Sequence, residues 1–250
     1  SSKADYANVA LAISGTAVAT GSELASSLLR SNFFEHLQGN PDFKNHPILA
    51  FESDFLRWML SDAAGAVFLS TTKNKDTISM RVEWIEHVSY AGKMETCMYA
   101  GGHKNEDGSM TGWRELDSLE EALRKNYFAL KQDTEILGEH VIRLTVTEGL
   151  ARTMSRRGIR SDTIDWFLPH YSSEYFREHV YEAMAAIGFE VPYGKWFTNL
   201  ADKGNTGSAS IYVILEELFH SGRLRKGEKI LCYIPESGRF SVAYMLLGVV

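Results

Sequence analysis

Thr163-Ile164-Asp165-Trp166-Phe167-Leu168-Pro169-His170 is an apolar and aromatic run closed by a proline and then a histidine. A short run of this kind, bounded by a breaker, reads as a buried strand over Thr163–Leu168. Working outward, Ser172–Ile187 carries a helical pattern, Trp196–Leu200 reads as a second strand, and Thr206–Ser221 as a second helix stopped by Gly222. Lys229–Ile234 and Ser241–Gly248 read as two more strands, so the last third of the chain is a βαβαββ run. In the helix after Asn205, the residues Ile211, Ile214, Leu215 and Leu218 recur at i, i+3, i+4 and i+7 and form one buried stripe. Strands alternating with helices in this way are the pattern of a layered α/β fold.

Such sheets bind ligands beyond the carboxyl ends of their strands, where loops lead into helices. His170 follows the first strand, and Asn205, within Gly204-Asn205-Thr206-Gly207-Ser208-Ala209-Ser210, follows the second. The two are separated by enough chain for a helix, a strand and two turns, so neighbouring parallel strands could present both side chains to one ligand. Each also has a plain structural reading. A histidine after a strand is commonly a satisfied structural residue, and Gly-Asn-Thr is a good helix N-cap.

Upstream, Asp5–Ile13 reads as the end of a helix closed by Ser14-Gly15, and Ala17–Thr20 as a buried strand. Leu28–Phe51, punctuated at Asn40-Pro41 and His46-Pro47, reads as an excursion from the core. Ala64–Ser70 and Ile78–Tyr90 read as strands joined by the polar segment Thr71–Asp76. Ser118-Leu119-Glu120-Glu121 matches a capping box that starts a helix towards Leu130, and a long helix spans Thr134–Arg157 with Gly158 as its stop.

The 250 residues are 44% hydrophobic, enough for one large or two closely packed domains. A net charge of −6 speaks against a general nucleic-acid binder. Two cysteines, Cys97 and Cys232, are too few for a disulfide framework, and no apolar stretch predicts membrane insertion, so a cytoplasmic protein is expected. His87, His103, His140, His179 and His220 lack metal-ligand spacing, and no metal is expected. The chain starts Ser1-Ser2-Lys3 and ends inside a predicted strand, which reads as part of a longer polypeptide.

Asp165–His170, Gly204–Ser210 and Gly238-Arg239-Phe240 before an apolar strand are similar, in order and spacing, to the β-ketoacyl-ACP synthase III family of thiolase-fold condensing enzymes. Gly21-Ser22-Glu23 and Ser61-Asp62-Ala63-Ala64-Gly65-Ala66 resemble two further segments of that family, with Ala63 where glycine is usual. The resemblance implies a thiolase-like α/β/α/β/α layering of two pseudo-duplicated halves, the first incomplete. Residues 1–133 would be the remainder of the N-terminal half with inserted loops, and 134–250 the C-terminal half.

It also implies a decarboxylative Claisen condensation without a cofactor, using acyl-CoA or acyl-carrier-protein thioesters, in a homodimer. His170 and Asn205 would donate hydrogen bonds to the malonyl thioester oxygen, donors typically worth roughly 3 kcal/mol each. The backbone N–H of Gly238 would contribute to the oxyanion hole. Family members with an acidic residue at the Asn205 position tend towards acyl transfer without decarboxylation, so Asn205 favours carbon–carbon bond formation.

The family's cysteine nucleophile falls at or before Ser1 by this resemblance. The absence has three readings: an omitted N-terminal part, which is preferred, a split synthase, or a partner subunit without a nucleophile. Cys97 and Cys232 read as buried small apolar residues. Glu23 is expected to tie down a turn and Asp62 to be structural. Arg152, Arg156, Arg157 and Arg160 read as a solvated helix end or, with Arg177, as a docking patch for an acidic carrier protein. Glu236-Ser237-Gly238-Arg239 stands in place of a run of glycines, a departure that leans towards specialised metabolism.

Overall fold

The computed structural model describes residues 15–31, 34 and 47–250. In chain order these form β1 (Thr16–Glu23), α1 (Pro47–Met59), β2 (Ala63–Ser70) and β3 (Met80–Ser89). Short strands β4 (Met98–Tyr99), β5 (Gly102–Lys104) and β6 (Met110–Gly112) follow, then α2 (Leu119–Arg124) and β7 (Lys131–Gln132). The long helix α3 is α-helical over Thr134–Ile142 and Gly149–Arg157, with a π-helical turn at Arg143–Glu148 between them. The C-terminal elements are β8 (Trp166–Pro169), α4 (Tyr175–Ala186), α5 (Leu200–Lys203), α6 (Ser210–His220), β9 (Lys229–Glu236) and β10 (Ser241–Val249).

Four strands form the main sheet in the order β3-β10-β9-β8, parallel between β8 and β9 and antiparallel elsewhere. Alternation along each strand sends side chains to opposite faces. Trp166, Leu168, Ile230 and Cys232 meet the predicted stripe Ile211, Ile214, Leu215 and Leu218 of α6 on one face. Phe167, Leu231 and Tyr233 pack on the other face with Val146 and Leu150 of α3 and Val180 and Met184 of α4. With both faces covered, every residue of β8 is buried, as a parallel strand requires.

β1 and β2 pair antiparallel as a separate ribbon, from Thr16↔Ser70 to Glu23↔Ala63. Its glycines Gly21 and Gly65 lie against Tyr212 of α6 so closely that a Cβ on either would collide with that side chain. The ribbon, α6, the main sheet and the α3–α4 pair therefore stack in that order. This is a mixed α/β architecture of the thiolase type.

Several expectations change. Trp196–Leu200 is not a strand: a single parallel bridge joins Trp196 to Phe167, and Phe197 N–H donates to Phe167 O at 2.9 Å. The chain then turns into α5, which delivers Asn205. β1 is not buried but alternates in exposure, because α6 covers one face only. β2 and β3 do not pair with each other, β3 lying against β10 instead. Ser118 accepts from Glu121 N–H as the capping motif predicts, but α2 stops at Arg124, where Asn126 takes a left-handed φ of 56°.

In α3, Gly158 caps the helix with φ 62° as expected, whereas the π-turn was not foreseen. That turn leaves the Thr145 carbonyl to accept from Tyr244 Oη at 2.7 Å, and Thr145 Oγ1 meets Tyr233 Oη at 2.6 Å. The expected helix Asp5–Ile13 and most of the excursion before Pro47 lie outside the described residues. Pro47 itself opens α1 rather than a loop.

Candidate active site

Three segments end side by side at the carboxyl edge of the sheet. Pro169 is level with Tyr233, and His170 N–H donates to Tyr233 O at 2.9 Å, which carries β8 one residue past its ladder. The bridge at Trp196 places the third segment on the other side of β8. Tyr171, which follows His170, is buried, and its hydroxyl donates to Glu174 Oε1 at 3.5 Å. Burial pushes its phenol up to about 12.

His170 is half-buried, and burial alone holds its imidazole down to about 4. At neutral pH the ring is uncharged and carries one N–H donor. Asn205 is buried, and its Oδ1 accepts from Gly207 N–H at 3.1 Å. The cap and the functional reading are thus compatible. Because the oxygen is fixed on the backbone donor, the amide's Nδ2 end is left as its free donor. Among the described residues no fully buried side-chain nitrogen or oxygen lacks a partner, so the unbonded nitrogens of His170 and Asn205 keep some exposure.

The loop before Asn205 is set from the N-terminal side. Ser61 N–H donates to Asn205 O at 2.8 Å, and Gly204 takes φ 74° with Ser61 Oγ where a Cβ would sit. Glu23 accepts from Ser208 N–H at 3.3 Å, and Ser208 Oγ donates to Ser22 O at 2.6 Å, which is the turn-tying role expected of Glu23. Asp62 accepts from both the backbone and the hydroxyl of Ser26, which pulls its carboxyl below the usual range.

Gly238 sits in the turn between β9 and β10. Its N–H donates to the carboxylate of Glu236, and its carbonyl accepts from Cys97 N–H at 2.8 Å and Met98 N–H at 3.2 Å. The sequence named Gly238 but not this carboxylate, although Glu236 in place of glycine was the signal. Cys97 and Cys232 are both fully buried; burial pushes the Cys97 thiol up to about 12 and that of Cys232 further still. Buried thiols held in the protonated form are poor nucleophiles. Among the described residues no cluster of His, Cys, Asp or Glu could hold a metal.

Residues 154–238 match the family described as 3-oxoacyl-[acyl-carrier-protein (ACP)] synthase III C terminal. Over this C-terminal third the chain is similar to the β-ketoacyl-ACP synthase III family. It is 24% identical over 173 residues to the β-ketoacyl-ACP synthase III of Porphyromonas gingivalis, an alignment covering 69% of this chain and 45% of that relative. Among solved structures, OleA from Xanthomonas campestris superposes with a TM-score of 0.71 at 18% identity, covering 98% of this chain and 60% of that one. The 3-oxoacyl-ACP synthase III of Xanthomonas oryzae does so with a TM-score of 0.69 at 20% identity, covering 98% and 62%. The structural likenesses carry the thiolase-type fold, and the chain spans about half the length of the curated relatives it matches.

Within this chain the arginines have partners that neither sequence reading named. Arg156 and Arg157 lie 3.0 and 2.9 Å from the carboxylate of Glu86, itself only 5% exposed, and Arg157 also covers the Trp84 ring. Two guanidiniums keep that buried carboxylate compensated. Arg177 stacks 4.8 Å over Tyr193. No described helix is long and apolar enough to cross a membrane.

Proposed function

We propose that this chain forms part of a condensing enzyme that joins an acyl group to a malonyl-type thioester by decarboxylative Claisen condensation. The observation that carries this reading is a pair of neutral donors, His170 with its uncharged ring and Asn205 with its amide oriented by Gly207. Both suit an oxygen that becomes negative in the reaction.

A cysteine thiolate outside these 250 residues attacks an acyl thioester and expels its thiolate, giving an acyl-cysteine. The malonyl thioester then loses CO₂, and the electrons of the broken carbon–carbon bond pass to the thioester oxygen, where His170 and Asn205 donate. The enolate carbon attacks the acyl-cysteine carbonyl, and the oxyanion formed there is directed at Gly238 N–H. Collapse of that adduct expels the cysteine thiolate. Acyl-CoA or an acyl carrier protein as donor, a homodimer and a cytoplasmic setting complete the proposal.

A second reading, a partner subunit that shapes the site of a cysteine-bearing chain, is favoured by one observation: both cysteines of the sequence are buried with raised thiols. Intact mass spectrometry of the natural polypeptide, before and after incubation with an acyl-CoA, tests the choice. An acyl adduct on a cysteine upstream of Ser1 is expected. A mass equal to the 250 residues, with no adduct, overturns the self-sufficient synthase in favour of the partner subunit.

A further inference from the structure

Glu236 shares a face of the sheet with His170. Leu168 and Cys232 both pack on the α6 side, and alternation carries the same side to His170 and, through Ile234, to Glu236. His170 is bonded to Tyr233 O and so lies beside Ile234, and Glu236 is two residues further on, about 7 Å along the strand. Glu236 therefore stands on the same ledge. Its side chain is exposed, with one oxygen on Gly238 N–H and the other accepting from Ser241 Oγ at 3.3 Å.

The backbone of this turn is fixed, and the carboxylate is not. Glu236 and Ser241 are paired across the hairpin, which leaves only Ser237–Phe240 as its loop. Cys97 and Met98 hold the Gly238 carbonyl, and Gln132 Nε2 donates to Ser237 Oγ at 3.0 Å. Rotation of an exposed side chain into water is the inexpensive motion here, whereas moving the turn breaks three hydrogen bonds to the central segment. A carboxylate oxygen is also a good likeness of an alkoxide: it shows that Gly238 N–H is aimed where an anionic oxygen can reach it.

We propose that Glu236 gates the oxyanion donor, its carboxylate occupying Gly238 N–H in the resting protein until the carbonyl of a bound acyl thioester displaces it. The inference rests on the condensing-enzyme reading above. It makes Glu236 a brake on acylation: an acyl carbonyl competes for the donor with a charged acceptor already in place, and charged acceptors bind such donors more strongly than neutral ones.

The test uses the natural full-length polypeptide, labelled with ¹⁵N-glycine, and acetyl-CoA as the probe. The Gly238 amide resonance is expected to shift in Glu236→Gln, which removes the charged acceptor from the N–H. Rapid-quench mass spectrometry is expected to show acylation roughly tenfold faster in Glu236→Gly, with Glu236→Gln in between. An amide resonance indifferent to the Gln substitution, or equal acylation rates with adduct formed in all three proteins, overturns the gate and leaves the condensing enzyme standing. Absence of adduct from all three, with the amide response intact, overturns the condensing-enzyme reading and the gate with it.

Discussion

The main sheet and the β1–β2 ribbon both pack against α6, yet they are built to different standards. The sheet is covered on both faces, and Phe167 in its parallel strand is 1% exposed. The ribbon is covered on one face, and its cross-strand partners Val18 and Phe68 are 62% and 70% exposed on the other. Close packing fixes strand ends in space, so the sheet can carry His170 and Gly238. The ribbon instead contributes through its ends and flanks, where Ser22, Glu23 and Ser61 hold the loop that presents Asn205.

Stability should show this contrast most strongly. Phe167→Ala is expected to cost about 3–5 kcal/mol in urea unfolding, because it opens a cavity among Trp196, Tyr233 and the helices. Phe68→Ala, a change on the open face, should stay within about 0.5 kcal/mol. Equal losses would mean that the ribbon's outer face is covered in the natural protein, and the comparison would fail.

The next effect separates the two roles of Asn205. Asn205→Asp keeps an oxygen for Gly207 N–H but puts negative charge where the Nδ2 donor stood. Condensation should fall by 10²–10³-fold, roughly 3 kcal/mol of transition-state stabilisation, while acyl-adduct formation and thermal stability stay close to wild type. A parallel loss of folding stability would show that the loop, not the chemistry, depends on the amide.

A third effect is a pH dependence traced to His170 at the sheet edge. His170 is held at about 4 in the fold against an ordinary 6.5, so between these values the unfolded chain takes up a proton that the folded chain refuses. This contribution to stability is complete above about 6.5 and is lost as pH falls towards 4. His170→Gln should flatten the acid limb in that window. A limb unchanged by the substitution would place the pH sensitivity elsewhere.

Much of this was legible because it is local. The α6 stripe, the Ser118 cap, the Gly158 stop and the burial of both cysteines follow from periodicity and side-chain chemistry. The β8–α4–β9–β10 elements were legible for the same reason, with boundaries shifted by a few residues. Trp196–Leu200 was misread because its composition suits a strand, whereas its place is decided by Val191 O, which takes the Trp196 indole N–H at 2.8 Å, and by the turn into α5.

The sequence by itself determined which stretches bury an apolar face and which residues carry donor chemistry, since both depend on neighbours within a few positions. Only the tertiary structure decided that β3 joins β10 rather than β2, that Glu86 takes Arg156 and Arg157, that a π-turn brings Thr145 to Tyr233 and Tyr244, and that β4–β7 clamp the Gly238 turn. These contacts join residues tens of positions apart. Their partners are selected by the space that packed layers leave, which no local pattern encodes.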